Sequence, residues 1–158
     1  MTDLLALPVS RSFVVLSKFI AVVLWCALLS LIFFVFGLMI GGMIGLSGWS
    51  SDIASLAAYN FAVTSLLTIL LCTPVAFFAS YGRGYLLPMG FAMSTLIAAQ
   101  FIGILGLAPY FPWAIPVTFS TVGADSSQIG VISIIILLCT CIVGFLTTFA
   151  WWRFADQT

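Results

Sequence analysis

Apolar side chains run almost without interruption from about Lys18 to Ile44, from Ala54 to Ala79, from Leu86 to Leu107 and from Ile129 to Trp152. Leu, Ala, Ile and Phe fill these runs continuously, with none of the period-two alternation that a barrel strand needs. Each run reaches the length of about 20 residues with which a helix crosses a hydrocarbon core of roughly 30 Å. The pattern predicts an all-α integral membrane protein, a bundle of four transmembrane helices forming one domain over residues 1–158. The first run continues from near Phe13 to about Leu46, too long for the apolar core of a cleavable signal peptide.

The links between the runs are short. Residues 47–53 (SGWSSDI) join the first two spans and residues 80–85 (SYGRGY) the next two. The third link, residues 108–128, is the longest and reads APYFPWAIPVTFSTVGADSSQ. Its prolines and aromatic rings predict a short broken helix that dips into the membrane interface, because Trp and Tyr settle where one edge stays wet.

Composition narrows the chemistry. The 158 residues are 64% hydrophobic and 5% charged, against about a quarter charged in a soluble domain. Histidine and glutamate do not occur, and the net charge is zero. Hence no Ser/His or Cys/His nucleophile pair is available, no phosphate-binding glycine loop of the GxxxxGK[ST] type is present, and no basic face invites nucleic acid. No catalytic residue, metal ligand or cofactor site is expected, so ATP hydrolysis would fall to another subunit. Cys26, Cys72, Cys139 and Cys141 all lie inside apolar runs, where cysteine acts as a small packing residue.

The basic residues set an orientation. Arg11, Lys18, Arg83 and Arg153 flank the spans on one side, and Asp52 and Asp125 lie in the opposite links. The positive-inside rule then places both termini in the cytoplasm. Trp151, Trp152 and Arg153 read as an interface anchor there, with Trp49 and Trp113 on the outer side.

Several features within the runs admit two readings. Gly37, Gly41 and Gly45, one turn apart with Gly42 alongside, form a flat face for close helix packing, against a second subunit or another helix of this chain. Pro74 kinks the second span, as a hinge or as a fixed bend. Gln100 in the third span and Asn60 in the second need polar partners, as contacts between helices or as lining of a path; Thr64, Thr68, Thr73, Thr140, Thr147 and Thr148 add hydroxyls. No span interior holds an acidic or basic residue, so no proton relay or ion-coupling pair is legible. The N-terminal stretch TDLLALPVSRSFVVLSK is a juxtamembrane anchor or a surface that meets a cytosolic partner.

Three stretches together, LLALPVSRSFVVLSKFI, PYFPWAIP and FAWWRFADQ, resemble the type-2 ABC permeases, in particular their bacitracin-export-like branch. The resemblance covers nearly the whole chain. It implies that Leu4, Leu5, Leu7, Pro8, Val9, Ser10 and Arg11 end a cytoplasmic coupling helix that docks on an ATPase. It also implies that Pro109, Tyr110, Phe111, Pro112, Trp113 and Pro116 belong to an external re-entrant segment over the path between two permease subunits. The implied partners are a cytosolic ABC ATPase, a second permease subunit in a homodimer, and membrane lipid. The implied setting is a bacterial plasma membrane, and the implied function is export of an amphipathic or peptide-like substrate such as a peptide antibiotic.

Members of that family typically have six spans, two of them ahead of the coupling segment. This chain begins within that segment, so the expectation is a permease lacking its first two spans or one whose start lies further upstream. A small non-transporting membrane scaffold or regulator, or an inert permease fragment, is the alternative.

Overall fold

The computed structural model describes residues 11–45, 50–82, 84–122 and 129–154, and every described element is helical. Helix α1 spans Arg11–Ile44, α2 Ser51–Leu70, α3 Cys72–Tyr81, α4 Leu86–Ile104, α5 Ile115–Val122 and α6 Val131–Phe154, with a 3₁₀ turn at Ala108–Tyr110. Among the described residues, four helical stretches are long and apolar enough to cross a bilayer: Phe13–Ile44, Ser51–Tyr81, Leu86–Ile104 and Val131–Phe154. Helix α1 starts at Arg11, so Lys18 lies inside it rather than ahead of it.

The helix ends follow from local chemistry. Gly45, at φ 65°, closes α1 in the left-handed conformation that glycine reaches without a steric penalty. Ser50 caps α2, its hydroxyl accepting from the amide of Ile53 at 3.3 Å, and Asp52 in the first turn opposes the positive end of the helix dipole. Helix α4 ends in a Schellman motif. Gly106 sits at φ 73°, its amide donates to the Gly103 carbonyl at 3.1 Å, and the Leu107 amide reaches the Ile102 carbonyl at 3.1 Å.

Proline explains the break in the second span. Pro74 has no amide proton for the Leu70 carbonyl, and its ring crowds that carbonyl, so the helix is interrupted at Leu71 and resumes as α3. The side chain of Thr73 makes good the loss by donating to the Leu70 carbonyl at 2.9 Å.

Helix α6 is the axis of the bundle. Ser133, Leu137, Cys141, Gly144 and Thr148 are buried and recur every three or four residues, which puts them on one face. Its closest neighbour is α3, α1 packs against both α2 and α6, and α5 lies against α2. Leu71, Ile115, Leu137 and Cys141 form the central apolar cluster, drawn from the α2–α3 break, the start of α5 and the middle of α6.

Candidate functional site

The third link supplies the segment that sets this bundle apart from four simple crossings. After the 3₁₀ turn the chain passes through a tight turn, in which Ala114 donates to the Phe111 carbonyl at 2.9 Å, and enters α5. Pro116 occupies the first turn of α5, where its missing amide costs nothing. Ala114, Ile115 and Pro116 are buried, and Ile115 is 1% exposed.

The segment goes deep. The Trp113 ring lies 5.5 Å from that of Phe91, near the start of α4, whose other end is Ile104. Residues 91 to 104 span roughly 20 Å at 1.5 Å per residue. The chain therefore leaves α4 at one end of the bundle, descends to Trp113 and Ile115 at its middle, and turns back along α5. Pro109, Phe111, Pro112 and Trp113 are half-buried along this path, while Tyr110 is exposed. Trp113, expected as an outer interface anchor, is instead packed between Phe91 and Phe111, 5.7 Å away.

At the level of Ile115 the walls are helices in backbone contact. A β-carbon on Gly144 would stand 2.5 Å from the Pro74 nitrogen and 2.8 Å from its Cα, so only glycine lets α3 and α6 meet here. Beside this contact the Thr73 hydroxyl is also 3.0 Å from the Cys141 carbonyl. One hydroxyl proton thus serves two carbonyls, one on each side of the crossing.

A second cluster ties α1, α3 and α6 together at the end of the bundle where α1 begins. The Lys18 ammonium sits 4.4 Å from the centre of the Trp152 ring, and the Trp152 indole N–H donates to Ser80 Oγ at 3.0 Å. Tyr81 meets Trp151 edge-on at 4.9 Å. Lys18 and Arg153 accordingly share one end of the bundle, and Asp52 starts α2 at the other.

The remaining sequence candidates are dispersed. A β-carbon on Gly37, Gly42 or Gly45 would meet nothing within 4 Å, and Gly41 is half-buried. Between α1 and α2 lies an open apolar groove of about 450 Å³, with Ala27, Ser30 and Phe34 facing Ala58, Phe61 and Ala62. Gln100 is exposed on α4, whereas Asn60 is half-buried on α2. Leu4, Leu5, Leu7, Pro8, Val9 and Ser10 lie outside the described residues, as do Trp49, Arg83 and Asp125, and Arg11 is the first residue of α1.

Sequence reasoning passed over Gly144 and the Ser80–Trp152 pair. An isolated glycine inside an otherwise apolar helix was the available signal for the first. The second joins residues 72 positions apart, and no local pattern marks it.

A family model described as "ABC-2 family transporter protein" matches residues 1–99, which take in the N-terminal segment, α1, α2, α3 and most of α4. No curated protein and no solved structure matches the chain.

Proposed function

The chain belongs to the ABC-2 family of transporter proteins, and on that premise we propose that it is the membrane-spanning permease subunit of a bacterial ABC exporter. In this reading two permease subunits, this chain paired with itself or with a similar one, assemble with two copies of a cytosolic ATPase in the plasma membrane. The Lys18 and Arg153 end of the bundle and both termini face the cytoplasm, as the positive-inside rule requires. ATP binding and hydrolysis on the partner supply the free energy. The permease alternates between closed and outward-open arrangements and releases an amphipathic or peptide-like substrate, a peptide antibiotic among the candidates.

The family match carries this reading, because it includes the N-terminal stretch as well as the first two spans and most of the third. The course of α1 supports it. That helix runs without a break from Arg11, the last residue of the proposed coupling segment, to Ile44. A displacement of the segment by an ATPase would therefore travel along a continuous rod. Lys18 then links that rod to Trp152 and, through the indole N–H, to Ser80 on α3. Two elements other than α1 would feel the movement directly.

Substitution of the coupling segment tests the assignment. Leu4→Asp and Leu5→Asp together should release the ATPase while leaving the chain inserted and folded. Retention of the ATPase by this doubly substituted chain would refute the role given to Leu4–Arg11.

A further inference from the structure

Most threonine hydroxyls inside the spans turn back on their own helix. Thr68, Thr95, Thr140, Thr147 and Thr148 each donate to a carbonyl three or four residues earlier. In hydrocarbon this is the default, since no water is at hand to take the proton. Thr64 and Asn60 break the rule. Thr64 Oγ1 and Asn60 Oδ1 are buried atoms that have no hydrogen-bond partner among the described residues. A polar atom sealed away without a partner opposes the conformation that seals it.

The two residues stand one turn apart on α2, so their side chains are neighbours on one helix face. Continuing that face by helical spacing leads to Leu67 and Leu71, which pack in the cluster around Ile115 at the start of α5. Asn60 and Thr64 thus lie along the same seam, nearer the Asp52 end of the bundle than Ile115. Helix α5 is most firmly held at its base: Ile115 is 1% exposed, whereas further along Thr118 and Phe119 are only half-buried and Val117, Ser120 and Thr121 are exposed. A helix of this kind can swing about its buried end.

We propose that the seam between α2 and α5 opens from the Asp52 end and that Asn60 Oδ1 and Thr64 Oγ1 together bind a small neutral hydrogen-bond donor there. Water fills that role when no transported molecule is present; an amide N–H or hydroxyl of a transported molecule has the same chemistry. The carboxamide oxygen accepts, the threonine hydroxyl accepts or donates, and a water bridging groups one turn apart spans the distance that neighbouring helix positions impose. Opening is favoured because it gives both atoms the partners they lack when the seam is closed.

Asn60 is the only asparagine in the sequence, so labelling with ¹³C,¹⁵N-asparagine gives a single carboxamide signal. The experiment is water-edited solid-state NMR on the full chain in lipid bilayers. Magnetisation from water should reach the Asn60 carboxamide, and Thr64→Val should roughly halve the initial transfer rate by removing one of the two anchors. No transfer, or transfer indifferent to Thr64→Val, overturns the proposal. Melting of the apolar double variant Asn60→Leu/Thr64→Val gives an independent sign: a lower melting temperature than the parent supports a hydrated pair, and a higher one means that the atoms never meet a donor. Addition of an N-acetylated dipeptide amide separates the two sources of donor. Loss of the water signal with new peptide contacts assigns the site to transported molecules as well, and an unchanged water signal restricts it to water. None of these readouts needs an ATPase, so the seam and the transport assignment fail or stand separately.

Discussion

Gly144 of α6 rests on the backbone of Pro74 in α3, with no room between them for a methyl group. Two residues that weaken a helix in isolation thereby bring two helices of this bundle into backbone contact. Proline breaks the second span at Leu71, and glycine lets the axial helix close on the broken segment. The obstructing atoms are backbone and ring, which cannot rotate away. Gly144→Ala is therefore expected to destabilise the protein by about 1–3 kcal/mol through overpacking, read as a lower melting temperature in detergent. An equal or higher melting temperature would mean that α3 and α6 are not in backbone contact.

The hydroxyl of Thr73 serves the Leu70 and Cys141 carbonyls at 2.9 and 3.0 Å. Thr73→Val keeps the shape and removes the donor, and hydrogen bonds between membrane helices average about 0.6 kcal/mol. The expected loss is therefore small, and smaller than that for Gly144→Ala. Thermal melts of the two variants side by side give the ranking; a larger effect for Thr73→Val would shift the centre of the crossing from packing to hydrogen bonding.

Trp152 and Ser80 offer a pair that can be tested for coupling. Trp152→Phe preserves a ring beneath Lys18 and removes the N–H that reaches Ser80 Oγ, and Ser80→Ala removes the acceptor. If the contact is formed, the double variant is more stable than the sum of the single losses predicts, by an interaction energy of about 0.5 kcal/mol or more. Strict additivity would show that the pair is not in contact.

Ile115 anchors the segment of residues 108–122 in the cluster with Leu71, Leu137 and Cys141. Ile115→Ala leaves a cavity where the surrounding helices cannot fully collapse, with an expected cost of about 2 kcal/mol or more. The effect should also be local in one respect: proteolysis or hydrogen exchange would report loosening of residues 108–122 ahead of α1. Uniform loosening of all helices would contradict an anchoring role.

A β-carbon on Gly37 would meet nothing within 4 Å, and the residue is exposed on α1. Gly37→Leu should leave the melting temperature of the isolated chain unchanged. If the glycine face is where a second subunit sits, the same change abolishes self-association measured by energy transfer between labelled chains in bilayers. Undiminished transfer would remove that face from the subunit contact.

The helical class and the four spans were legible because continuous apolar runs of this length have one stable solution in lipid. The break at Pro74 was legible for the same kind of reason, since a missing amide is visible in the sequence. The depth of the third link was not. Its prolines and rings announce a departure from simple crossing, but whether Trp113 rests at the interface or against Phe91 depends on the cluster of Leu71, Leu137 and Cys141 that distant helices assemble beneath it. Interhelical polar contacts were legible only in part. Thr73 stood out as a polar group within a span, yet its partner on Cys141 is fixed by which helices adjoin. Gln100, the most polar side chain of the third span, is exposed on α4 while the smaller Asn60 lies half-buried. Polarity alone does not tell which face of an apolar helix turns inward, least of all where the hydrophobic pattern is nearly uniform around the helix.

A permease powered by a separate ATPase forms a complex with that ATPase. Co-purification of the unmodified full-length chain, in mild detergent, with the ATPase it works with in the cell is the decisive experiment. A stable complex that dissociates when Leu4 and Leu5 are replaced by aspartate is expected. A chain that remains folded and monodisperse yet brings down no ATPase would contradict the permease assignment.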